Sequence, residues 1–517
     1  MIDLVYHRGD ISVSGQMRRA WWISLFQFLC LIGITGLVLL VNWRQGAQIS
    51  LLGWMIYLSG IVALFWRPRY GLYLIVGLAL IADRSLLEWY PFVKNLSSVE
   101  SLFFLHDAVI ISPVEIYIGL TYIAWLLQAL LQRKPLNFYG GTLFLPVLAY
   151  IGFITFGLAN GLLRNGNLVI ALWEARAIYY LPALLVLASN LLETRAHVKV
   201  LIFWVVFGLV VKSIAGFWYV AAELQFAIGS VDRIAEHVMS IHFNALIVLA
   251  IITWLFRAAP SQRILLLVVL PPILIAFLAN NRRSAFIALG IALVLLFVVL
   301  YQERRKLFFI VAPPALVFSL AYLAVFWNVD SGLGLPASAV RSVLGSADAR
   351  DQSSNLYRYY ENLNIMYTIK SAPLTGVGFG NKFFIVVPMA DISSFIWWEY
   401  ITHNSILWIW MKVGVGGFLA MLFLVGSNMM LSGRAIRRMP RGDMQLFVIF
   451  ATLYILMHFI FAYVDMSWDS VSMVFVGAMM GLINAAERIA ARPVALQPKR
   501  WPWQPEPQPP EGLRTLA

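Results

Sequence analysis

Apolar runs of about 20 residues recur along the whole chain and constrain its fold more than any other feature. A helix needs about 20 apolar residues to cross a bilayer, and it satisfies its own backbone hydrogen bonds there. We count roughly fourteen such runs, some slightly short. They lie near residues 21–42, 51–66, 71–83, 109–131, 142–159, 177–192, 200–222, 238–256, 264–279, 285–301, 307–326, 405–431, 444–464 and 471–486. The sequence therefore predicts an all-α integral membrane protein, a polytopic bundle of about 12–14 transmembrane helices.

Composition and charge argue against a soluble or nucleic-acid-binding protein. Only 12% of the residues are charged and 61% are hydrophobic, whereas soluble domains have about 25% charged residues. The formal net charge is +13, but the basic residues lie between the apolar runs, where membrane topology places them. We therefore predict no nucleic-acid partner. Cys30 is the only cysteine, which excludes an intrachain disulfide and a multi-cysteine metal cluster.

Basic residues occupy every second connection between the runs. They are Arg67, Arg69, Arg133, Lys134, Arg195, Lys199, Arg257, Arg263, Arg304, Arg305, Lys306, Arg434, Arg437, Arg438 and Arg441. Because basic loops stay in the cytoplasm, this alternation predicts that both termini are cytoplasmic. The run 21–42 is long enough to span and lacks a small-residue cleavage site, so we predict a retained helix. The tail 487–517 is proline-rich toward its end and is predicted to be cytoplasmic.

The connection 327–404 is long and falls on the side that the basic loops leave external. A loop of this length without its own structure is uncommon unless it is functional or disordered. Its stretch 355–369 has apolar and aromatic residues in helical spacing. These residues are Leu356, Tyr360, Leu363 and Tyr367. We therefore predict one large, partly helical external loop.

Three arginines could bind phosphate on the external side. Arg282 and Arg283 lie in the short turn "NNRRSAF", where the positive-inside rule disfavours basic residues. They could anchor lipid headgroups, or they could bind phosphate oxygens through their planar guanidinium groups. Arg358 lies in "NLYRYYENL", where it could be a solvated charge paired with Glu361.

His403 is the strongest candidate for proton transfer. It precedes the span 405–431 in "THNSILWIW" and follows the aromatic cluster "FIWWEYIT". An imidazole at this border could accept a proton from a hydroxyl, or it could be a hydrogen-bonded interfacial side chain. His237 and His242 are five residues apart, which is a weak signal for metal. We predict no metal and no cofactor.

Other features have plainer interpretations. The stretch "APLTGVGFGNKFF" has glycines spaced as in a phosphate loop but does not lie between a strand and a helix, so tight turns are favoured. Lys212 and Lys412 lie within spans, where charges usually mark function. Arg176 is near the external end of a span, where anchoring is the simpler explanation.

The late third of the chain resembles the O-antigen ligase and polymerase superfamily. The resemblance covers about residues 280–425 and rests on "RRSAF", an arginine followed by "APLTGVGFG", and "HNSILWIWMKVGVGGF", in this order. Members are bacterial inner-membrane glycosyltransferases that use undecaprenyl-diphosphate-linked glycans. On the basis of this resemblance we divide the chain into N-terminal helices 1–279, a ligase/polymerase-like core 280–431, C-terminal helices 432–486 and the tail 487–517. The resemblance implies a multi-pass protein of the bacterial inner membrane.

The resemblance also implies roles for particular residues. Arg283, or its neighbour Arg282, and Arg358 correspond to the arginines that hold the diphosphate of the lipid donor. His403 corresponds to the catalytic base or acceptor-orienting histidine, with Asn404 beside it. Many relatives have an acidic residue where this chain has Lys412, which puts conclusions about the acceptor or subfamily in doubt.

The sequence leaves several functions open. The acceptor hydroxyl could belong to a glycolipid core, to a second lipid-linked repeat unit or to a protein, which gives a ligase, a polymerase or an O-oligosaccharyltransferase. A transporter or flippase of lipid-linked sugars is the alternative from another class, and Lys212 is the residue that would fit it. Transporters usually show internal repeats with midplane binding groups. We see no internal repeat, and the candidate groups cluster at one face, so an enzyme is favoured.

Overall fold

The computed structural model describes scattered positions between 25 and 40 and then most of the chain as far as residue 491. The described ranges are 49–82, 92–98, 104–106, 109–131, 138–228, 231, 233–258, 260–330, 332–345, 349–393, 395 and 397–491. The tail from 492 and most of the predicted first span, 21–42, lie outside the described residues.

Fifteen α-helices, named α1 to α15 here, follow one another in the described ranges from residue 49 onward. They are α1 (Ile49–Trp66), α2 (Pro68–Ile81), α3 (Pro113–Leu131), α4 (Phe144–Leu163), α5 (Leu168–Leu191), α6 (Arg195–Ala222), α7 (Met239–Leu255), α8 (Pro260–Ala279), α9 (Arg283–Glu303), α10 (Arg305–Phe326), α11 (Leu335–Val343), α12 (Ala349–Ser371), α13 (Ser405–Arg438), α14 (Asp443–Ala462) and α15 (Ser470–Ala491). No strand occurs in those ranges.

The prediction of an all-α polytopic membrane protein is confirmed. Within the described ranges, ten helices are long and apolar enough to cross a membrane, namely α3 to α6, α8 to α10 and α13 to α15. The apolar helices α1, α2 and α7 are shorter. The predicted span 177–192 is in fact longer, because α5 begins at Leu168, where the Asn167 side chain accepts a hydrogen bond from the Ile170 N–H at 3.1 Å.

The centre of the bundle is built from α14 and α15, which are the most completely buried spans. Gly477 and Gly481 of α15 are four residues apart and pack directly against the backbone carbonyls of Leu181 and Leu185 in α5. Small residues at this spacing let two membrane helices approach closely. By contrast, α10 has no buried residue, so its apolar surface faces outward along its length.

The connection 327–404 contains α11, α12 and an irregular segment, as the partly helical prediction required. We call the end of the bundle that carries this connection the loop end. The buried side of α12 is not the apolar one that the sequence suggested, because Leu356, Leu363 and Tyr367 are exposed. Asn364 is buried instead: its amide group accepts hydrogen bonds from the Val386 and Val387 N–H groups and donates one to the Val387 carbonyl. Buried backbone groups need such partners, which explains why Asn364 faces inward beside the buried Ile365 and Ile369.

The glycine-rich stretch 372–384 makes a tight turn, as predicted, against a break in α13. Gly414 has φ +78° and interrupts the helix, which leaves carbonyls before it without helical partners. The Val377 and Gly378 N–H groups donate to the carbonyls of Met411 and Lys412 at 2.8 and 3.0 Å. Gly378 has φ +85°, and a Cβ there would collide with the Gly161 backbone. The turn thus fastens the first part of α13 to α4.

Candidate functional site

A polar cavity of about 540 Å³ opens at the loop end of the bundle. Its walls come from α12, the residues before α13, the segment before α7 and the turn between α14 and α15. The charged or titratable side chains that line it include Arg233, Glu236, His237, Arg358, Glu361, His403, Asp465 and Asp469. Ile392, Phe395 and Ile401 provide an apolar part of the wall. Such a concave surface with converging polar groups is typical of a ligand site.

His403 is held in this cavity by Glu361 of α12. The Glu361 carboxylate lies 3.1 Å from the His403 Nδ1 atom and accepts a hydrogen bond from the His403 backbone N–H at 3.0 Å. The Glu361 side chain is 2% exposed, whereas His403 is 24% exposed. A carboxylate only accepts hydrogen bonds, so Nδ1 carries the proton and Nε2 is left as the proton acceptor. The Tyr357 ring packs edge-on against the imidazole, with 5.6 Å between ring centroids.

The start of α13 explains why a membrane helix begins with histidine and asparagine. The buried Asn404 side chain caps the helix by accepting a hydrogen bond from the Leu407 N–H at 3.0 Å. Ser405 donates its hydroxyl proton to the Asp465 carbonyl at 3.1 Å. Trp468 donates its indole N–H to the Ser405 carbonyl at 2.7 Å. His403 therefore lies directly before a helix end that is capped by Asn404 and held by the turn between α14 and α15.

A second histidine–carboxylate pair lines the same cavity. His237 Nδ1 lies 3.3 Å from the Asp465 carboxylate, which is 1% exposed. Burial alone would raise the pKa of Asp465, but the hydrogen bond from His237 and the positive charge of Arg358 outweigh it. The pKa of Asp465 is therefore lowered to about 2. Burial lowers the pKa of His237, and the charges of Arg282 and Arg233 act in the same direction.

Asn280 explains how the "NNRRSAF" turn comes close to this pair. Its buried side-chain oxygen accepts a hydrogen bond from the Ala235 N–H at 2.9 Å, and its amide donates to Ser240 Oγ at 2.8 Å. The segment that carries His237 is thereby fixed to the beginning of α9. The charge of Arg282 consequently acts on His237.

The predicted arginines do not all lie in the same place. Arg358 lines the cavity and donates to Ser354 Oγ at 3.3 Å. Arg282 acts electrostatically on a cavity residue, whereas Arg283 donates to Ser342 Oγ of α11 at 2.6 Å. Arg176 donates to the Asn95 side chain and to the Ile110 carbonyl, outside the cavity wall.

Lys412 is a buried structural cation beneath the site. Its ammonium group lies 2.8 Å from the Glu174 carboxylate and donates to the Asn381 carbonyl at 2.5 Å. The other oxygen of Glu174 accepts a hydrogen bond from the Gly380 N–H at 2.6 Å. This ion pair joins α5, the glycine-rich turn and α13.

Lys212 is buried elsewhere in α6 and donates to the Ala82 carbonyl at 2.7 Å.

The part of the chain that the structure describes contains no group of three His, Cys, Asp or Glu side chains arranged as metal ligands. His237 and His242 also diverge: His237 faces the cavity beside Asp465, and His242 is buried in α7 near Ser472.

Sequence reasoning missed the partners of the two cavity histidines. Glu361 was considered only as a partner of Arg358 three residues earlier, yet its carboxylate contacts His403, which is 42 residues away. Asp465, which the sequence analysis did not single out, pairs with His237. A signal was available, since "VDMSWDS" places two acidic residues in a short turn between apolar spans.

Comparison with known protein families gave a match to part of the chain. Residues 264–422 match the family model described as O-Antigen ligase. The matched range includes Arg282, Arg283, Arg358, Glu361 and His403, but not His237 or Asp465. A comparison with curated protein sequences gave no match. The family match confirms that this multi-pass membrane protein resembles the O-antigen ligase and polymerase superfamily over residues 264–422.

Proposed function

We propose that this protein transfers a glycan from an undecaprenyl-diphosphate carrier to an acceptor hydroxyl at the periplasmic face of the bacterial inner membrane. The transfer inverts the anomeric centre and needs no metal. The observation that carries this proposal is the Glu361–His403 pair, which lies in one cavity with Arg358.

His403 is the general base in this scheme. Its Nδ1 atom is engaged by Glu361 at 3.1 Å, which leaves Nε2 to take the proton of the acceptor hydroxyl. The Glu361 carboxylate also stabilises the imidazolium that forms, as the acidic member of a catalytic triad does. A positioned base of this kind contributes about 10²–10⁴-fold to the attack of a weak nucleophile.

The arginines hold the leaving group. As the acceptor oxygen bonds to the anomeric carbon, the bond from that carbon to the diphosphate oxygen breaks and negative charge grows on the diphosphate. Guanidinium groups fixed near this oxygen stabilise the charge and can replace a metal cation. Arg358 and Arg233 line the cavity, and Arg282 acts on His237 at its wall. Because the hydroxyl displaces the diphosphate in one step, the configuration inverts.

Two carboxylates of the cavity are engaged by histidines, and the arginines supply the positive charge that attracts an anionic donor. Glu361 contacts His403, and Asp465 contacts His237. The apolar part of the wall, with Ile392, Phe395 and Ile401, suits the lipid or sugar faces of the substrates.

A reconstituted transfer assay tests this function. The purified full-length protein is supplied with a lipid-linked glycan donor and, in separate reactions, with a glycolipid core, a second lipid-linked unit or a protein acceptor. We expect a glycosidic product with inverted configuration by NMR, with the glycolipid core or the lipid-linked unit favoured over protein. Movement of the donor across the membrane without its consumption would instead identify a flippase.

A further inference from the structure

A second cavity, of about 480 Å³, lies at the end of the bundle opposite the loop end. It is lined by five cationic side chains and one carboxylate. They are Arg257, Arg304, Arg305, Lys306 and Arg441, with Glu303. Its remaining wall is apolar and consists of Leu307 and Ile310 of α10. The proposed transfer reaction has no use for this cavity.

The positive charge in this cavity is not neutralised by its one carboxylate. Glu303 Oε2 accepts a hydrogen bond from Gln445 at 3.0 Å, and Arg441 donates to the Glu303 backbone carbonyl at 2.8 Å. Arg304 donates to the carbonyls of Leu255 and Phe256 at the end of α7. Burial lowers the pKa of Arg304, and the charges of Arg441 and Arg257 lower it further. A bound anion would relieve this repulsion.

The beginning of α10 adds hydrogen-bond donors to the same place. The Arg304 side chain makes no capping hydrogen bond, and the Phe308 N–H donates to the Arg304 carbonyl. The N–H groups of Arg305, Lys306 and Leu307 therefore have no partner within the helix. Together with the helix dipole, such groups favour an anion, most often a phosphate.

The outer surface of α10 indicates that this phosphate belongs to a lipid. Ile310 follows one turn after Lys306 and is 69% exposed, and α10 has no buried residue. An apolar surface therefore runs from the cavity along the whole helix, where acyl chains would lie. Basic pockets between membrane helices bind anionic headgroups in this way. We propose that this cavity binds the headgroup phosphate of an anionic phospholipid, with its acyl chains against α10.

Lipid retention by the full-length protein in detergent tests this site. The variant Arg305→Gln/Lys306→Gln removes two cavity cations whose only structural contact in the described part is that of Arg305 with the exposed Tyr301. Its matched control is Arg437→Gln/Arg438→Gln, which removes two exposed charges at the same end but outside the cavity wall. Binding of phosphatidylglycerol and of phosphatidylcholine is measured by native mass spectrometry.

We expect the wild type and the control to prefer phosphatidylglycerol and the cavity variant to bind it about tenfold to 30-fold more weakly. Equal binding by the cavity variant and the control, or equal binding of both lipids by the wild type, would overturn the proposal. Inorganic phosphate is tested alone; if it raises the melting temperature as much as phosphatidylglycerol does, the lipid assignment is wrong. If the double variant does not fold, Arg257→Asn replaces it, since asparagine tolerates the φ of +55° at this position.

Discussion

Glu361 holds both the backbone and the ring of His403. Its two carboxylate oxygens lie 3.0 Å from the His403 backbone nitrogen and 3.1 Å from the Nδ1 atom. One buried side chain therefore sets where the chain enters α13 and which ring nitrogen can accept a proton. This relationship gives the proposed base a fixed tautomer, and it makes the base and its partner separately testable.

Replacing His403 should remove the base without removing the donor. We expect His403→Ala to lower turnover by about 10²–10⁴-fold, and His403→Gln to be equally poor because an amide takes no proton near neutrality. Glu361→Gln should also lower turnover strongly, since an amide no longer fixes the Nδ1–H tautomer. Transfer is measured in membranes supplied with purified donor.

Donor binding to the solubilised variants is the control for this experiment, and it should persist because the arginines supply that interaction. If His403 only orients the acceptor, glutamine should restore much of the activity. Wild-type transfer by His403→Ala would remove this residue from the site.

Replacing Arg358 or Arg282 with lysine should weaken donor binding. An ammonium group cannot form the paired hydrogen bonds of a guanidinium with phosphate oxygens. We expect Arg358→Lys and Arg282→Lys to lose activity by roughly tenfold to 100-fold at unchanged protein level. Arg437→Lys, at the opposite end, is the control.

Arg283→Lys decides between two neighbouring arginines. Its guanidinium donates to Ser342, so we expect a smaller loss than in Arg282→Lys. A larger loss of activity in Arg283→Lys than in Arg282→Lys would mean that Arg283, and not Arg282, contacts the diphosphate. Full activity in all three lysine variants would mean that these arginines only anchor the protein.

Asp465→Asn should destabilise the protein in a pH-dependent way. The pKa of Asp465 is lowered to about 2 from an ordinary value of 3.8, so its ionised form stabilises the fold above about pH 4, by roughly 2 kcal/mol. This contribution is lost as the pH falls from about 4 toward 2. The variant should therefore melt at a lower temperature than the wild type at pH 7, and the difference should narrow below about pH 4. The exposed Asp391 provides the control Asp391→Asn, which should change the melting temperature little. If the difference in melting temperature between the wild type and Asp465→Asn did not vary with pH, the lowered pKa of Asp465 would be contradicted.

Transfer should not depend on a divalent cation. The proposed scheme neutralises the diphosphate with guanidinium groups, so EDTA should leave the rate unchanged. Loss of activity with EDTA and recovery with Mg²⁺ or Mn²⁺ would contradict this, and would direct attention to Asp465 and Asp469, which line the cavity.

The loop end should face the periplasm. Reporters fused after Lys306 and after Arg438 should be cytoplasmic, because basic connections stay inside. A reporter within 340–395 should be external. A cytoplasmic result for the loop fusion would exclude the proposed reaction, since its donor and acceptor meet outside the cytoplasm.

The sequence by itself determined that this is a polytopic membrane protein and which region resembles a known family. Apolar runs of spanning length specify membrane helices because a bilayer offers backbone groups no other partner. The same local logic predicted the helix in the large loop and the tight turn at the glycines. The order of "RRSAF", of Arg358 followed by "APLTGVGFG", and of "HNSILWIWMKVGVGGF" was enough to indicate the family resemblance.

Only the tertiary structure decided which side chains meet. His403 and Glu361 are 42 residues apart and His237 and Asp465 are 228 apart, and periodicity says nothing about contacts over such separations. The tertiary structure also decided which side of α12 is buried, because Asn364 there satisfies the backbone of a neighbouring segment beside the buried Ile365 and Ile369. Lys412 is recognisable in the sequence as a charge within a span, but only the tertiary structure brings the Glu174 carboxylate of α5 within 2.8 Å of its ammonium group.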